Sequence, residues 1–195
     1  MKRKLVTIVT VLLIAMMVTS SALAGNAIKL SNVDWKLGSL ISKGFASGLG
    51  NTDWVLVLDG VGHAGVICTN HGSNDVPGQS FPHVVGRGIT TLPGSDPLRK
   101  NGKSPYYVAA QSEYESVKYI PWDEGGCPNP NWTARIDFVF WDFAVINVYS
   151  PLDTNFATPV ATYQYRCETT YTGPNSTPTT FDDGRVSCTQ IYPTK

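Results

Sequence analysis

The sequence lacks the common short signatures of catalysis and metal binding. It contains no Gly-x-Ser-x-Gly and no His-Glu-x-x-His, which argues against the commoner serine hydrolases and zinc proteases. It has no Cys-x-x-Cys, and its three histidines have spacings that match no closed zinc pattern. It also lacks an excess of one charge, since 15 basic and 15 acidic residues balance, and this argues against a nucleic-acid partner. The sequence therefore predicts no catalytic set, no metal site and no cofactor.

A second long apolar run is also missing, and the one that exists has the layout of a secretory signal peptide. Basic residues at positions 2–4 precede an apolar run over 5–18, and an Ala-Leu-Ala cleavage site ends at Ala24. We expect a signal peptide over 1–24 and one mature domain over 25–195. Because no other run is long enough to span a bilayer, the mature product is expected to be secreted, extracellular and soluble.

The four cysteines form an even set, which in an exported chain predicts two disulfides. Cys68, Cys127, Cys167 and Cys188 allow three connectivities. The pairing of Cys167 with Cys188 is favoured because the segments around both have strand patterns joined by a Thr/Pro/Asn loop. Cys68 would then pair with Cys127, and each bridge should add roughly 3 to 4 kcal/mol by restricting the unfolded chain.

Turn formers are frequent: 18 glycines and 13 prolines interrupt short stretches rich in β-branched and aromatic residues. This spacing argues against a helical protein and predicts about eight to ten strands. The predicted fold class is all-β, an antiparallel two-sheet β-sandwich of immunoglobulin-like or jelly-roll-like type.

The clearest strand pattern runs over 133–149. Six apolar side chains share one parity there: Ile136, Phe138, Phe140, Ala144, Ile146 and Val148. Asp142 interrupts that parity in the middle of the run. A bulge or bend at Trp141-Asp142 would turn one long strand into two and let the Asp142 carboxylate point outward.

The segment after Trp54 contains Gly60-x-Gly62-x-x-Gly65, which spells the dinucleotide-binding fingerprint. The residues that follow, 66–69, are β formers that end at a cysteine, and the fingerprint needs a helix there. We therefore predict a glycine-rich hairpin turn at 60–62 between two short strands.

Two sets of residues are candidates for contact with a ligand. The first is a set of aromatic side chains outside the strongest strand patterns: Tyr106, Tyr107, Tyr114, Tyr119 and Trp122. Such side chains stack on sugars, anchor partners or close the ends of a sheet. The second set would serve a hydrolase or a metal site on loops: His63, His71 and His83 with Asp59 and Asp75.

Several short stretches resemble a group of small exported bacterial proteins of unknown function. They are Cys68-Thr69-Asn70, Pro77-Gly78-Gln79, Cys127-Pro128-Asn129 with Trp132, and Cys167 with Ser187-Cys188-Thr189. The resemblance covers most of the mature chain. It implies an exported, disulfide-linked β architecture and no activity, because its motifs are cysteine and turn positions.

These observations favour a binding, adhesive or structural surface module over an enzyme. Its partner would be a glycan, a cell-surface protein or a second copy of the chain, and the loops 70–82 and 106–122 are the expected contact surfaces. The alternative is a small secreted hydrolase or metal-binding protein that uses the region of the three histidines. Asn131-Trp132-Thr133 is a glycosylation sequon that matters only in a eukaryotic host.

Overall fold

Strands account for most of the chain that the structure describes. The computed structural model describes residues 28–36, 39–115, 119–171 and 184–193, so the predicted signal peptide over 1–24 lies outside it. The strands are β1 (Lys29–Lys36), β2 (Leu40–Ser47), β3 (Trp54–Thr69), β4 (Asp75–Pro77), β5 (His83–Leu92), β6 (Lys103–Ser112), β7 (Tyr119–Ile120), β8 (Thr133–Tyr149), β9 (Ala161–Tyr171) and β10 (Gly184–Tyr192). Within the described ranges, no helix has the length and hydropathy needed to cross a membrane.

All strand pairs are antiparallel and belong to one sheet, in the order β1-β2-β6-β5-β3-β8-β9-β10, with β4 beside β3 and β7 beside β8. The all-β antiparallel prediction is confirmed. The predicted separation into two sheets is not observed, because β6 pairs with β2 over 103–110 and with β5 through Gln111 and Ser112. The sheet curls until β1 and β10 come near each other, so it is nearly closed and barrel-like.

The core fills the inside of this curled sheet. Trp141 is fully buried there and packs with large aliphatic side chains such as Leu40 and Ile146. Its ring lies over two glycines: a Cβ on Gly60 would be 2.8 Å from Trp141 Cζ3, and a Cβ on Gly86 would be 2.7 Å from Cη2. Both positions therefore need glycine because the indole occupies the space that a side chain would take.

Strand β3 is one continuous strand of 16 residues, so the hairpin predicted at 60–62 is wrong. Its glycines allow close packing across the sheet, and they do not mark a turn. A Cβ on Gly62 would collide with the carbonyl oxygen of Phe140, and a Cβ on Gly65 would collide with the Phe138 ring. Glycine inside a strand is a known sign of close approach as well as of turns.

Both predicted disulfides are confirmed: Cys68 is bonded to Cys127, and Cys167 is bonded to Cys188. Cys167 and Cys188 are directly opposite each other on β9 and β10, as the strand patterns indicated. The Cys68–Cys127 bridge ties the end of β3 to the segment before β8. Two disulfides are compatible with an extracellular protein.

Candidate functional site: an aromatic–histidine patch

The outer face of the sheet carries a cluster of aromatic side chains and a histidine because the side chains of β8 that face the core switch twice between even and odd positions. The register with β3 shifts at two places, one between the partners of Val61 and Gly62 and one between those of Gly65 and Val66. The buried side chains of β8 lie first at even positions, Ala134 and Ile136, and then at odd positions, Val139 and Trp141. From Ala144 onward the even positions are buried again. The predicted irregularity at Trp141-Asp142 is confirmed as a bulge, and Asp142 points outward, but β8 continues through it as one strand of 17 residues, so the expected division into two strands is wrong.

The second shift lies at Asp137, between Ile136 and Phe138 in the register with β3, and was not predicted. It turns Phe138 and Phe140 to the outer face, so the prediction that they share a face with Ile136 and Ala144 is wrong. Val139 and Trp141 take the core positions instead. A bulge re-aims the side chains that follow it by one position, because strand side chains alternate with a period of two.

The aromatic–histidine patch consists of His63, Phe81, Phe138, Phe140 and Asp142. The His63 ring stacks on Phe140 with centroids 4.9 Å apart, and Phe138 meets Phe140 edge-on at 4.8 Å. Phe81 approaches His63 edge-on at 5.8 Å from the segment before β5. Edge and offset contacts of this kind stabilise aromatic groups by about 0.5–1.5 kcal/mol per pair beyond area burial.

Asp142 fixes the orientation of the His63 ring. Its Oδ2 lies 2.8 Å from Nδ1 of His63. A carboxylate can only accept a hydrogen bond, so Nδ1 carries the hydrogen and donates it. In the neutral imidazole this leaves Nε2 as an acceptor, which can bind a ligand hydroxyl or take a proton.

The surface around the patch combines apolar and polar groups. Phe81 is 65% exposed, so its ring is accessible to a ligand. His83 lies directly across from His63 on β5, and the next row of the sheet places Val61 opposite Val85, both exposed. A ligand on this face would meet aromatic rings, aliphatic side chains, imidazoles and a carboxylate together.

Of the predicted histidine–aspartate set, His63 and His83 lie directly opposite each other on β3 and β5. Asp59 lies on the same outer face of β3, where its carboxylate is 3.6 Å from Nε of Arg87. His71 is in the turn after β3, and Asp75 accepts a hydrogen bond from Thr69 Oγ1 at 2.6 Å, near the far end of that strand. The carboxylate that pairs with His63 is Asp142, which the sequence analysis did not connect with it.

Tyr106 and Tyr107 lie on opposite faces of β6. Tyr106 is 5% exposed and belongs to the core, where its hydroxyl and that of Ser42 are hydrogen-bonded at 3.3 Å. Burial raises the pKa of Tyr106 to about 12. Tyr107 is exposed and distant in the sheet order from β8, so it does not belong to the patch.

The other predicted aromatic contacts lie near the segment that precedes β8. Tyr114 is half-buried and donates a hydrogen bond from its hydroxyl to Glu124 Oε1, and its pKa is raised, first by burial and then by Glu124. Trp122 is partly buried against the core. Tyr119 is exposed on β7, next to Arg135 of β8.

The arrangement does not form a metal site: no group of three His, Cys, Asp or Glu side chains among the described residues could hold an ion. His63 also makes no hydrogen bond to a hydroxyl or thiol in those ranges, so no nucleophile is paired with it. The patch can contact a ligand and orient one imidazole, and this is the chemistry it provides.

Comparison with protein-family models, curated proteins and solved structures finds no match to this chain.

Proposed function

We propose that this chain is a secreted, extracellular binding module that recognises a glycan through the aromatic–histidine patch. The observation that carries the proposal is the exposed Phe81 ring beside the His63–Asp142 pair. The C–H groups on the face of a sugar ring pack against the electron-rich face of an aromatic ring. The Asp142 carboxylate and Nε2 of the neutral His63 imidazole next to it accept hydrogen bonds from the sugar hydroxyls. The signal-peptide layout and the two disulfides support export.

A binding role is favoured over that of a structural subunit because the sheet is nearly closed. A subunit that assembles through strand edges needs a long unpaired edge, and such edges are absent from closed sheets. The two end strands of the described sheet, β1 and β10, face each other, and the accessory strands β4 and β7 have three and two residues. This arrangement offers little edge for a second chain.

The proposal is tested with an immobilised glycan array, followed by calorimetric titration of the oligosaccharide that binds most strongly. Phe81→Ala should weaken that affinity roughly tenfold or more, about 1.4 kcal/mol, because it removes the stacking surface. Leu98→Ala is the matched control, since Leu98 is also 65% exposed but lies in the loop between β5 and β6. If no glycan binds, or if both variants bind as the wild type does, the glycan proposal is wrong.

A hydrolase is the second candidate function, and the His63–Asp142 hydrogen bond is the observation that favours it. A carboxylate that orients a histidine through Nδ1 leaves Nε2 to act as a general base on water. A panel of chromogenic esters and glycosides tests this role. Activity that disappears in His63→Ala and falls in Asp142→Asn would support a hydrolase, whereas activity retained by His63→Ala would rule this site out.

A further inference from the structure

A polar pocket of about 250 Å³ opens at the far end of β3, away from the aromatic–histidine patch. Its walls include the hydroxyls of Thr69 and Thr133 and the amides of Asn70 and Asn131. Thr69 and Thr133 face each other across β3 and β8, so the sheet register fixes the spacing of the two walls. The Cys68–Cys127 disulfide adjoins Thr69 and holds this end of the sheet together.

The turn after β3 fixes the orientation of the Asn70 side chain. Its Oδ1 accepts hydrogen bonds from the backbone N–H groups of Gly72 and Asn74, at 2.9 and 3.0 Å. These bonds leave the amide N–H₂ of Asn70 as a donor at the pocket wall. The backbone N–H of Asn131 likewise donates to Asn129 Oδ1, which fixes the position of Asn131 while its own side chain remains exposed.

The remaining walls are Tyr119, His71 and Arg135. Tyr119 is 58% exposed and lies opposite Arg135 in the pairing of β7 with β8. Nη2 of Arg135 is 3.3 Å from Asp137 Oδ1, which offsets the guanidinium charge. Its Nε is buried and has no hydrogen-bond partner among the described residues.

We propose that this polar pocket binds a single neutral sugar ring. The lining side chains are donors and acceptors with an aromatic side chain at the opening, and no carboxylate or aliphatic side chain lines it. Such a surface suits a ligand with several hydroxyl groups and one less polar face. The volume is below the roughly 300–1,000 Å³ of sites for drug-sized ligands, so it suits one ring better than a chain. The inference is independent of the patch, because the two sites share no residue.

The test uses the mature chain, residues 25–195, produced in a bacterial host so that Asn131 remains unmodified. Neutral hexoses and the matching hexuronates are titrated separately while backbone amide resonances are recorded. We expect saturable shifts for a neutral hexose, with the largest changes at Thr69, Asn131 and Tyr119. Tyr119→Ala and Asn131→Ala should each weaken the affinity about tenfold or more, because each removes direct contacts with the sugar.

Tyr107→Ala is the matched control, since Tyr107 is 57% exposed but lies on β6. Thermal unfolding of each variant verifies that it is folded. The pocket proposal is overturned by the absence of saturable shifts, by binding of hexuronates alone, or by unchanged affinity in both pocket variants. Phe81→Ala distinguishes the two sites. If this variant loses glycan binding and still binds the hexose, the lost binding belongs to the patch and the pocket is a separate site.

Discussion

At the scale of single residues, Tyr106 places an ionisable hydroxyl inside the core. Burial raises its pKa from 10.0 to about 12, against a smaller opposing effect of the hydrogen bond with Ser42. Below pH 10 the folded and unfolded chains both keep this proton. Between the two pKa values the unfolded chain loses the proton and the folded chain keeps it, so the free energy of unfolding falls as the pH rises. Burial also raises the pKa values of Tyr163 and Tyr165, so these two residues likewise lower the free energy of unfolding as the pH rises.

We therefore predict that Tyr106→Phe makes the alkaline loss of stability less steep. The variant removes one group that releases its proton on unfolding, and it retains the ring that packs in the core. Urea unfolding at a series of pH values from 9 upward, compared with the wild type, measures the effect, with the exposed Tyr107→Phe as control. Equal slopes for the wild type and Tyr106→Phe would contradict the burial of this hydroxyl.

The alternation in β6 already contained the information that separates Tyr106 from Tyr107. Tyr106 has the same parity as Val108 and Ala110, and all three are buried, whereas Tyr107 is exposed. That parity places Tyr106 in the core, so of the two tyrosines Tyr107 is the one accessible to a ligand. The contacts of His63 could not be read from local alternation in the same way. Its partners Phe140 and Asp142 lie 77 and 79 positions away in the sequence, and only the register of β3 with β8 brings them together.

At the scale of elements, β8 positions the patch through its two bulges, and this leads to a prediction. Deleting Asp142 removes one bulge residue, so either Trp141 or the later row Ala144, Ile146 and Val148 must face outward. The deletion should therefore abolish cooperative folding. Asp142→Ala keeps the number of residues and should fold, with a small change in stability because the carboxylate is exposed. Circular dichroism and thermal unfolding measure both variants.

If the deletion variant unfolded cooperatively near the wild-type temperature, the bulge would not determine which side chains are buried.

The sequence predicted the bounds of β8 and the bulge at Asp142 because a charge within an apolar row is a visible interruption. It did not predict the bulge at Asp137, since Asp137 alternates regularly with Ile136 and Phe138. That shift depends on Gly65 of β3, whose missing side chain leaves space for the Phe138 ring.

At the scale of the whole molecule, contacts between distant segments hold the curled sheet in place. The Trp35 ring of β1 packs edge-on against Tyr165 of β9 with centroids 5.0 Å apart. The Tyr163 hydroxyl of β9 donates a hydrogen bond to the carbonyl oxygen of Ile28, just before β1. Local alternation predicted the strands, but strand order depends on pairings between segments far apart in sequence. Composition therefore predicted the class, and the closure of the sheet could not be derived from it.

The near closure of the sheet leads to a prediction about self-association of the protein. The end strands β1 and β10 each have one hydrogen-bonded neighbour, and because they approach each other, a second chain has limited room to pair with either edge. We expect the oxidised protein, produced as residues 25–195, to keep the mass of one chain across a concentration series in light scattering. Reducing both disulfides should loosen the β9–β10 pair that Cys167 and Cys188 connect, and association should then increase. A discrete multimer of the oxidised protein would instead favour a structural subunit and show that the closure does not block its edges.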